Sequence, residues 1–144
     1  MLLRDQILSI IDKELPLITN LSNASAVLKE VDDVSWVGFY IVKEDYLYLG
    51  PFQGHVACTK IKIGKGVCGE AAEKKKTMVI NDVSKIKNYI ACSSSTKSEL
   101  VVPIKKDDKV VAVIDYDSDK LSRFNDSRFI KEIEEIAKAI SELF

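Results

Sequence analysis

Apolar residues at helical spacing occur near both ends of the chain. Near the N-terminus they recur every three or four positions and predict a first helix that Pro16 ends. A second, short helix follows, and Asn20 or Ser22 could cap it. At the other end, Asn125 or Asp126 caps a predicted helix with one wide apolar stripe, formed by Phe129, Ile130, Ile133, Ile136, Ala137, Ile140 and Leu143.

Between these helices, aromatic and β-branched runs predict strands. Two pairs of runs are separated by short polar turns and predict hairpins, 36–42 with 46–49 and 100–104 with 110–114. Shorter segments complete the pattern: strands at 57–63 and 77–80, a crossover helix at 66–76 and a serine-rich loop at 88–98. Pro103 cannot donate to a ladder, so its strand should be bulged or lie partly at an edge. We predict an α+β fold, an antiparallel sheet with helices packed mainly on one face, in a single domain spanning 1–144.

Composition and charge exclude several classes of protein. The 144 residues are 47% hydrophobic, which is enough for a core and excludes a disordered chain. The 21 basic and 22 acidic residues nearly cancel, so the chain lacks the basic surface of a general nucleic-acid binder. No uncharged run reaches the roughly 20 apolar residues of a membrane span. The N-terminal residues lack the basic flank of a signal peptide, so we expect a cytoplasmic protein.

Three cysteines are the first candidates for chemistry. An odd number in a chain without a secretion signal argues against a structural disulfide framework and favours metal or redox chemistry. Cys58, Cys68, Cys92 and the single His55 fit no common zinc spacing, so we predict no metal site. Cys58 lies in a predicted apolar strand and best suits an inert, buried thiol. The first turn of a predicted helix favours a thiolate at Cys68, and Cys92 lies in an accessible polar loop.

A glycine-rich turn precedes the crossover helix. Gly64, Gly66 and Gly69 match G-x-G-x-x-G, but a dinucleotide site needs a parallel βαβ unit that the hairpins do not provide. No cofactor is therefore predicted. The exposed N–H groups of residues 66–68, with the helix dipole, suit a small carboxylate. Glycines that only shape a tight turn explain the motif equally well, and both interpretations stay open.

Three acidic residues are predicted to lie close together. Asp115 and Asp117 alternate onto the same face of a strand, and Glu99 begins the partner strand of that hairpin. Their mutual repulsion should raise at least one pKa and would favour an ammonium ligand. The alternative is a solvated strand end. Trp36 and Tyr40 share one face of the first strand and form either core or the apolar wall of a ligand site.

Six short segments together resemble one known family. They are 50–54 (GPFQG), 57–58 (AC), 64–69 (GKGVCG), 90–92 (IAC), 98–103 (SELVVP) and 115–118 (DYDS), and they occur in the order seen in free methionine-(R)-sulfoxide reductase, a stand-alone GAF-domain enzyme. The similarity runs from about Trp36 to Phe124 and implies a GAF-like sheet. Tyr116 departs from the aliphatic residue that the family often has between the two aspartates, and its side chain should point away from them.

The resemblance implies a thiol reaction. A thiolate attacks the sulfur of free methionine sulfoxide, a sulfenic acid forms on the enzyme, and a second cysteine converts it into a disulfide that thioredoxin reduces. In the family, the position of Cys92 usually holds the nucleophile and that of Cys58 forms the disulfide. The position of Cys68 is also a candidate for the nucleophile or a relay. We predict Cys92 as the nucleophile because of its accessible loop.

The remaining residues acquire roles from the same resemblance. Glu99 could protonate the sulfoxide oxygen, and Asp115 and Asp117 could hold the substrate ammonium or tune the acidity of Glu99. The turn formed by Gly66, Val67 and Cys68 could hold the substrate carboxylate. Trp36 and Tyr40 would enclose the S-methyl group. By analogy with other GAF domains, the flanking helices imply a homodimer. Two rival functions stay open, a non-catalytic GAF sensor of a small molecule and a redox-sensing thiol protein.

Overall fold

The order of helices and strands largely follows the hydrophobic pattern. The computed structural model describes residues 2–144, and Met1, with which the predicted domain begins, lies outside the described residues. The elements are α1 (Leu3–Ile10), α2 (Leu17–Lys29), β1 (Trp36–Lys43), β2 (Tyr46–Gln53), β3 (Lys60–Lys62), α3 (Gly66–Lys74), β4 (Met78–Ile80), β5 (Ser98–Lys106), β6 (Lys109–Ser118) and α4 (Ser127–Ser141), with a 3₁₀ turn at Val83–Lys85.

The strands form one antiparallel sheet in the order β3-β2-β1-β6-β5-β4. Both predicted hairpins, β1–β2 and β5–β6, are present, and the β1–β6 pairing joins them at the centre of the sheet. The α+β prediction is therefore confirmed. Pro103 lies beyond Val101, the last β5 residue that pairs with β4, and a register shift follows at Ile104. Its strand is thus at an edge there, as the missing N–H requires.

Helices cover the two faces of the sheet unequally. α1, α2 and α4 pack on one face, where Val37 and Phe39 of β1 meet Ile133 and Ile140 of α4 in one buried cluster. Within residues 2–144, α3 and the 3₁₀ turn pack on the other face, against side chains such as those of Trp36 and Tyr40 of β1. The prediction that helices pack mainly on one face is confirmed. Asp126 caps α4 by accepting a hydrogen bond from the backbone N–H of Arg128, as predicted.

The N-terminal helices begin and end at other positions than the pattern predicts. α1 ends at Ile10, six residues before Pro16, and α2 begins directly after that proline. Asn20 is therefore inside α2 and does not cap it, and neither does Ser22. The buried Asn20 side chain instead makes two hydrogen bonds to the backbone of Asp12, at 2.9 and 2.8 Å, which satisfy its amide and fix the connection between the helices.

The longest helix, α4, has 15 residues. Within residues 2–144, no helix combines the length and the apolar character that crossing a membrane requires.

Candidate active site

A cleft opens on the face of the sheet that carries α3. The register places Asp117 opposite both Trp36 and Glu99, and Asp115 opposite Gly38. Since directly paired residues point to the same side and side chains alternate along a strand, Tyr40 also faces this cleft. The empty space within the cleft and in front of it, counted out into open solvent, amounts to about 470 Å³.

Nearly all of the predicted site residues line this cleft. They are Trp36, Tyr40, Gly66, Val67, Cys68, Cys92, Glu99, Asp115 and Asp117. Cys58 is outside the lining but is covalently bonded to Cys92. The tertiary structure thus brings together residues separated by up to 81 positions, and their individual roles stay predictions.

The acidic residues form a buried group rather than a solvated strand end. Glu99 and Asp115 are only 6% and 5% exposed. An oxygen of each lies within 4.8 Å of the other and of Cys68 Sγ. The residues that line the cleft include no lysine or arginine. The alternative of a solvated strand end is therefore wrong, because these carboxyl groups have lost water without gaining a cation from these residues.

Burial changes the protonation of these acids. Burial, followed by the neighbouring Asp117 carboxylate, raises the pKa of Glu99 to about 8. Burial also raises the pKa of Asp115 and of Asp117, and the repulsion of adjacent carboxylates, Glu99 for the first and Asp115 for the second, acts in the same direction. The predicted rise of at least one pKa is confirmed. Near neutral pH, Glu99 carries a proton and can donate it.

Two carboxylate oxygens lack hydrogen-bond donors. Oδ1 of Asp115 and Oδ1 of Asp117 are buried, and neither has a partner among residues 2–144. A buried polar atom without a partner is costly. A ligand with several N–H groups and a positive charge would satisfy both oxygens, so this end of the cleft suits an ammonium group.

Cys68 is the buried free thiol of the site. It is 4% exposed, and its Sγ lies 4.0 Å from Glu99 Oε2. Burial raises the pKa of Cys68 well above its usual value, and the charges of Asp115, Glu99 and Asp117 raise it further. The prediction of a thiolate at the first turn of α3 is therefore wrong, since desolvation and acidic neighbours outweigh the helix dipole.

Cys58 and Cys92 are joined by a disulfide, with their Cα atoms 5.3 Å apart. Each cysteine lies in a loop, Cys58 between β2 and β3 and Cys92 in the segment before β5. The prediction that Cys58 is an inert thiol in an apolar strand is wrong. β3 begins only at Lys60, and Cys58 is half-buried and bonded. The pairing that the resemblance implies is present.

Two aromatic side chains of β1 hold the loop that carries Cys58. Tyr40 donates its hydroxyl proton to the backbone carbonyl of Cys58 at 2.9 Å, and Trp36 Nε1 donates to the carbonyl of His55 at 3.0 Å. Trp36 also stacks on Tyr40 and on Phe52. Both residues therefore combine an apolar ring that lines the cleft with a polar contact that positions the neighbouring loop.

The glycine-rich turn has a packing explanation. Gly66 has φ +65°, and a Cβ there would lie 3.1 Å from the side chain of Ile90. Asn88 Nδ2 donates to the carbonyl of Gly64 at 3.0 Å. The loop that carries Cys92 thus packs directly against the turn, which accounts for Gly66 without a ligand. The carboxylate role of residues 66–68 stays a prediction.

Seven of the described residues that line the cleft were not among the predicted site residues, and Tyr89 and Thr96 are two of them. Tyr89 and Thr96 lie in the serine-rich loop, yet both line the site. Burial raises the pKa of Tyr89, with the carboxylate of Glu99 as the next cause. A single tyrosine in an otherwise polar loop was the available signal, because an aromatic side chain seldom stays in solvent when a cleft is near.

Three of these side chains also have the spacing of metal ligands. Cys68, Glu99 and Asp115 each offer one atom within 4.8 Å of the others. All three would first have to lose protons that burial holds on them. The four-ligand set of three thiols and His55 is ruled out in this state, since two of those thiols form the disulfide.

Comparison with known proteins identifies the family to which the chain belongs. The GAF domain family matches residues 21–144. Free methionine-R-sulfoxide reductase of Saccharomyces cerevisiae is 43% identical over 141 residues, which cover 90% of this chain and 77% of the yeast protein. The protein of the same name from Escherichia coli K12 is 40% identical over 114 residues, covering 78% of this chain and 69% of that one.

The fold comparison agrees with the sequence comparison. The X-ray structure of free methionine-R-sulfoxide reductase from Neisseria meningitidis, in complex with its substrate, superimposes with a TM-score of 0.93 at 43% identity, over 99% of this chain and 86% of the other. The chain therefore belongs to the GAF domain family and, within it, to the free methionine-(R)-sulfoxide reductases.

Proposed function

We propose that this protein reduces free L-methionine (R)-sulfoxide to methionine, with thioredoxin as the source of electrons. The observation that carries the proposal is the position of Cys92, which lines the same cleft as Glu99, Asp115 and Asp117 and is bonded to Cys58 at its edge. The proposed nucleophile, proton donor and ammonium site thus line one cleft, in a chain 40–43% identical to reductases of that name.

The first step uses the reduced form of the cysteine pair. The Cys92 thiolate attacks the sulfoxide sulfur while Glu99 donates its proton to the oxygen, which otherwise makes a poor leaving group. The attack forms a bond between the two sulfurs. The S–O bond of the substrate then breaks as the hydroxyl group transfers to Cys92, and the bond between the sulfurs breaks with its electron pair going to the substrate sulfur. Methionine departs and Cys92 remains as a sulfenic acid. The substrate sulfur is reduced by two electrons and Cys92 is oxidised by two.

The second step restores the cysteine pair. Cys58 attacks the sulfenic sulfur of Cys92 as its thiolate, the hydroxyl group leaves as water with the proton that the Cys58 thiol gave up, and the disulfide seen in the structure forms. Thioredoxin then supplies two electrons and two protons by exchange. Cys68 is a weaker candidate for the nucleophile, because burial and three acidic neighbours hold the proton on its sulfur.

Recognition of a free amino acid follows from the acidic end of the cleft. The unpartnered Oδ1 atoms of Asp115 and Asp117 would accept hydrogen bonds from the substrate ammonium, whose positive charge would favour the ionised form of both carboxyl groups. Trp36 and Tyr40 would contact the S-methyl group. The N–H groups of the turn at residues 66–68 would take the carboxylate. A methionine sulfoxide residue within a protein has amides at both ends and would leave these carboxylates unpaired, at a large cost in binding.

The test is methionine release from each sulfoxide epimer, with thioredoxin, thioredoxin reductase and NADPH. We expect turnover of the free (R) epimer, and little or none of the (S) epimer or of an N-acetylated, amidated derivative. Cys92→Ser should abolish methionine release, whereas Ser94→Ala, on the exposed part of the same loop, should retain it. Binding of the (R) epimer without turnover by the unaltered protein would favour the sensor function and refute the proposal.

A further inference from the structure

Two exposed aliphatic side chains flank the disulfide. Val56 precedes Cys58 by two residues and is 87% exposed, and Ile90 precedes Cys92 by two residues and is 38% exposed. Each half of the disulfide therefore has an apolar side chain at the same offset on its own loop. Isolated apolar residues are common on surfaces, so it is their shared position beside a reactive bond that is informative.

The chain around the disulfide carries almost no charge. Residues 51–59 and 88–96, nine on each loop, include no Asp, Glu, Lys or Arg, although 30% of the whole sequence is charged. His55 is the one titratable side chain in these segments apart from Tyr89 and the two cysteines. The loops thus present an uncharged surface in a protein that is otherwise densely charged.

Val56 contributes to neither the core nor the cleft. It is absent from both buried clusters and does not line the cavity, while its neighbours are held firmly. Trp36 Nε1 binds the carbonyl of His55, and the Tyr40 hydroxyl binds the carbonyl of Cys58. The fold therefore holds this loop from both sides and presents an aliphatic side chain to solvent without gaining packing energy from it.

The chemistry of disulfide reduction limits what can cover this surface. A thiolate must approach one sulfur along the S–S axis, so the surface of a protein reductant must cover the residues next to the bond. Once covered, an uncharged apolar patch gains from leaving water without losing the hydration of any charge. We propose that Val56 and Ile90 form the docking surface for a dithiol protein of the thioredoxin class, an inference that rests on the proposed function for the identity of that reductant.

The exchange is balanced within this contact. One thiolate of the docked protein attacks a sulfur of the Cys58–Cys92 bond, forms an intermolecular disulfide and releases the other cysteine as a thiolate. The second thiol of the partner then attacks the intermolecular bond. The partner leaves with its own disulfide, and Cys58 and Cys92 have gained two electrons and two protons.

The experiment compares a large reductant with a small one. The oxidised protein is mixed with reduced thioredoxin or with dithiothreitol, and the second-order rate constant for loss of the Cys58–Cys92 disulfide is measured by thiol trapping and mass spectrometry. Val56→Ser should slow reduction by thioredoxin at least about fivefold, because one buried aliphatic contact is lost. Reduction by dithiothreitol, which needs no docking surface, should change less than about twofold.

Matched variants separate docking from a change of loop structure. Val56→Leu should keep the rate of the unaltered protein. Leu8→Ser, which removes a 50% exposed aliphatic side chain from α1, a helix on the opposite face of the sheet, should change neither rate. An unchanged thioredoxin rate in Val56→Ser would overturn the docking surface, and so would equal slowing with both reductants. Since the assay needs no sulfoxide, its outcome is independent of whether the protein releases methionine, which tests the proposed function separately.

Discussion

Replacing Glu99 by glutamine should make the protein more stable at alkaline pH. Burial raises the pKa of Glu99 from 4.5 to about 8, so in this interval the folded protein keeps a proton that the unfolded chain releases. The stabilisation from that bound proton is complete below pH 4.5 and is lost as the pH rises to 8. Glutamine has the shape of the protonated acid and cannot ionise, so the variant avoids this loss.

The size of the effect follows from the two pKa values. At roughly 1.4 kcal/mol per pH unit, the interval between them corresponds to about 5 kcal/mol of unfolding free energy. Glu99 also raises the pKa of Asp115, so its removal lessens the destabilisation that Asp115 causes at alkaline pH and changes the difference between the two proteins in the same direction. The difference should be small at pH 5 and rise by about 4 kcal/mol by pH 8.

Urea denaturation at pH 5, 6, 7, 8 and 9 measures this difference. Glu14→Gln, a substitution of an exposed carboxylate, is the control and should stay within about 0.5 kcal/mol of wild type throughout. The same Glu99 variant should lose methionine release at every pH, since it has no proton to donate. A stability difference that does not change with pH would refute the assignment of a protonated, buried Glu99.

Three further substitutions test other parts of the structure. Tyr40→Phe removes the hydrogen bond to the Cys58 carbonyl but keeps the ring. It should slow conversion of the sulfenic acid into the disulfide several-fold, while single-turnover methionine release stays within twofold. Equal slowing of both steps would contradict a positioning role for the hydroxyl group. Gly38→Ala would place a Cβ 2.4 Å from a β2 side chain, and urea unfolding should show a loss of about 1–3 kcal/mol. Tyr116→Phe deletes a buried 2.7 Å hydrogen bond to the carbonyl of Leu28 near the end of α2. Urea unfolding should again show a loss of about 1–3 kcal/mol of unfolding free energy. An unchanged urea midpoint would show that this carbonyl binds water in place of the hydroxyl group.

Much of the architecture could be predicted from local patterns. The two hairpins and the stripe of α4 follow from periods of two and 3.6 residues, because a half-buried strand or helix must expose one side and bury the other. Errors occurred where a tertiary contact replaced the local one. Asn20 has the chemistry of a helix cap, but its amide instead satisfies the backbone of Asp12. The apolar run at 57–63 predicted a longer strand than the three residues that pair with β2.

The order of the acidic residues along the chain was sufficient to predict that Glu99, Asp115 and Asp117 share one face, since strand alternation is a local property. Their protonation was decided by tertiary structure, because a pKa depends on how much water the packing of α3 and the loops excludes. The same cause reversed the expectation for Cys68, where burial outweighed a local helix dipole. The pairing of Cys58 with Cys92, 34 positions apart, likewise required two loops to meet over the sheet. The sequence by itself determined which residues are available for chemistry, and only the packed structure decided which are charged and which can react.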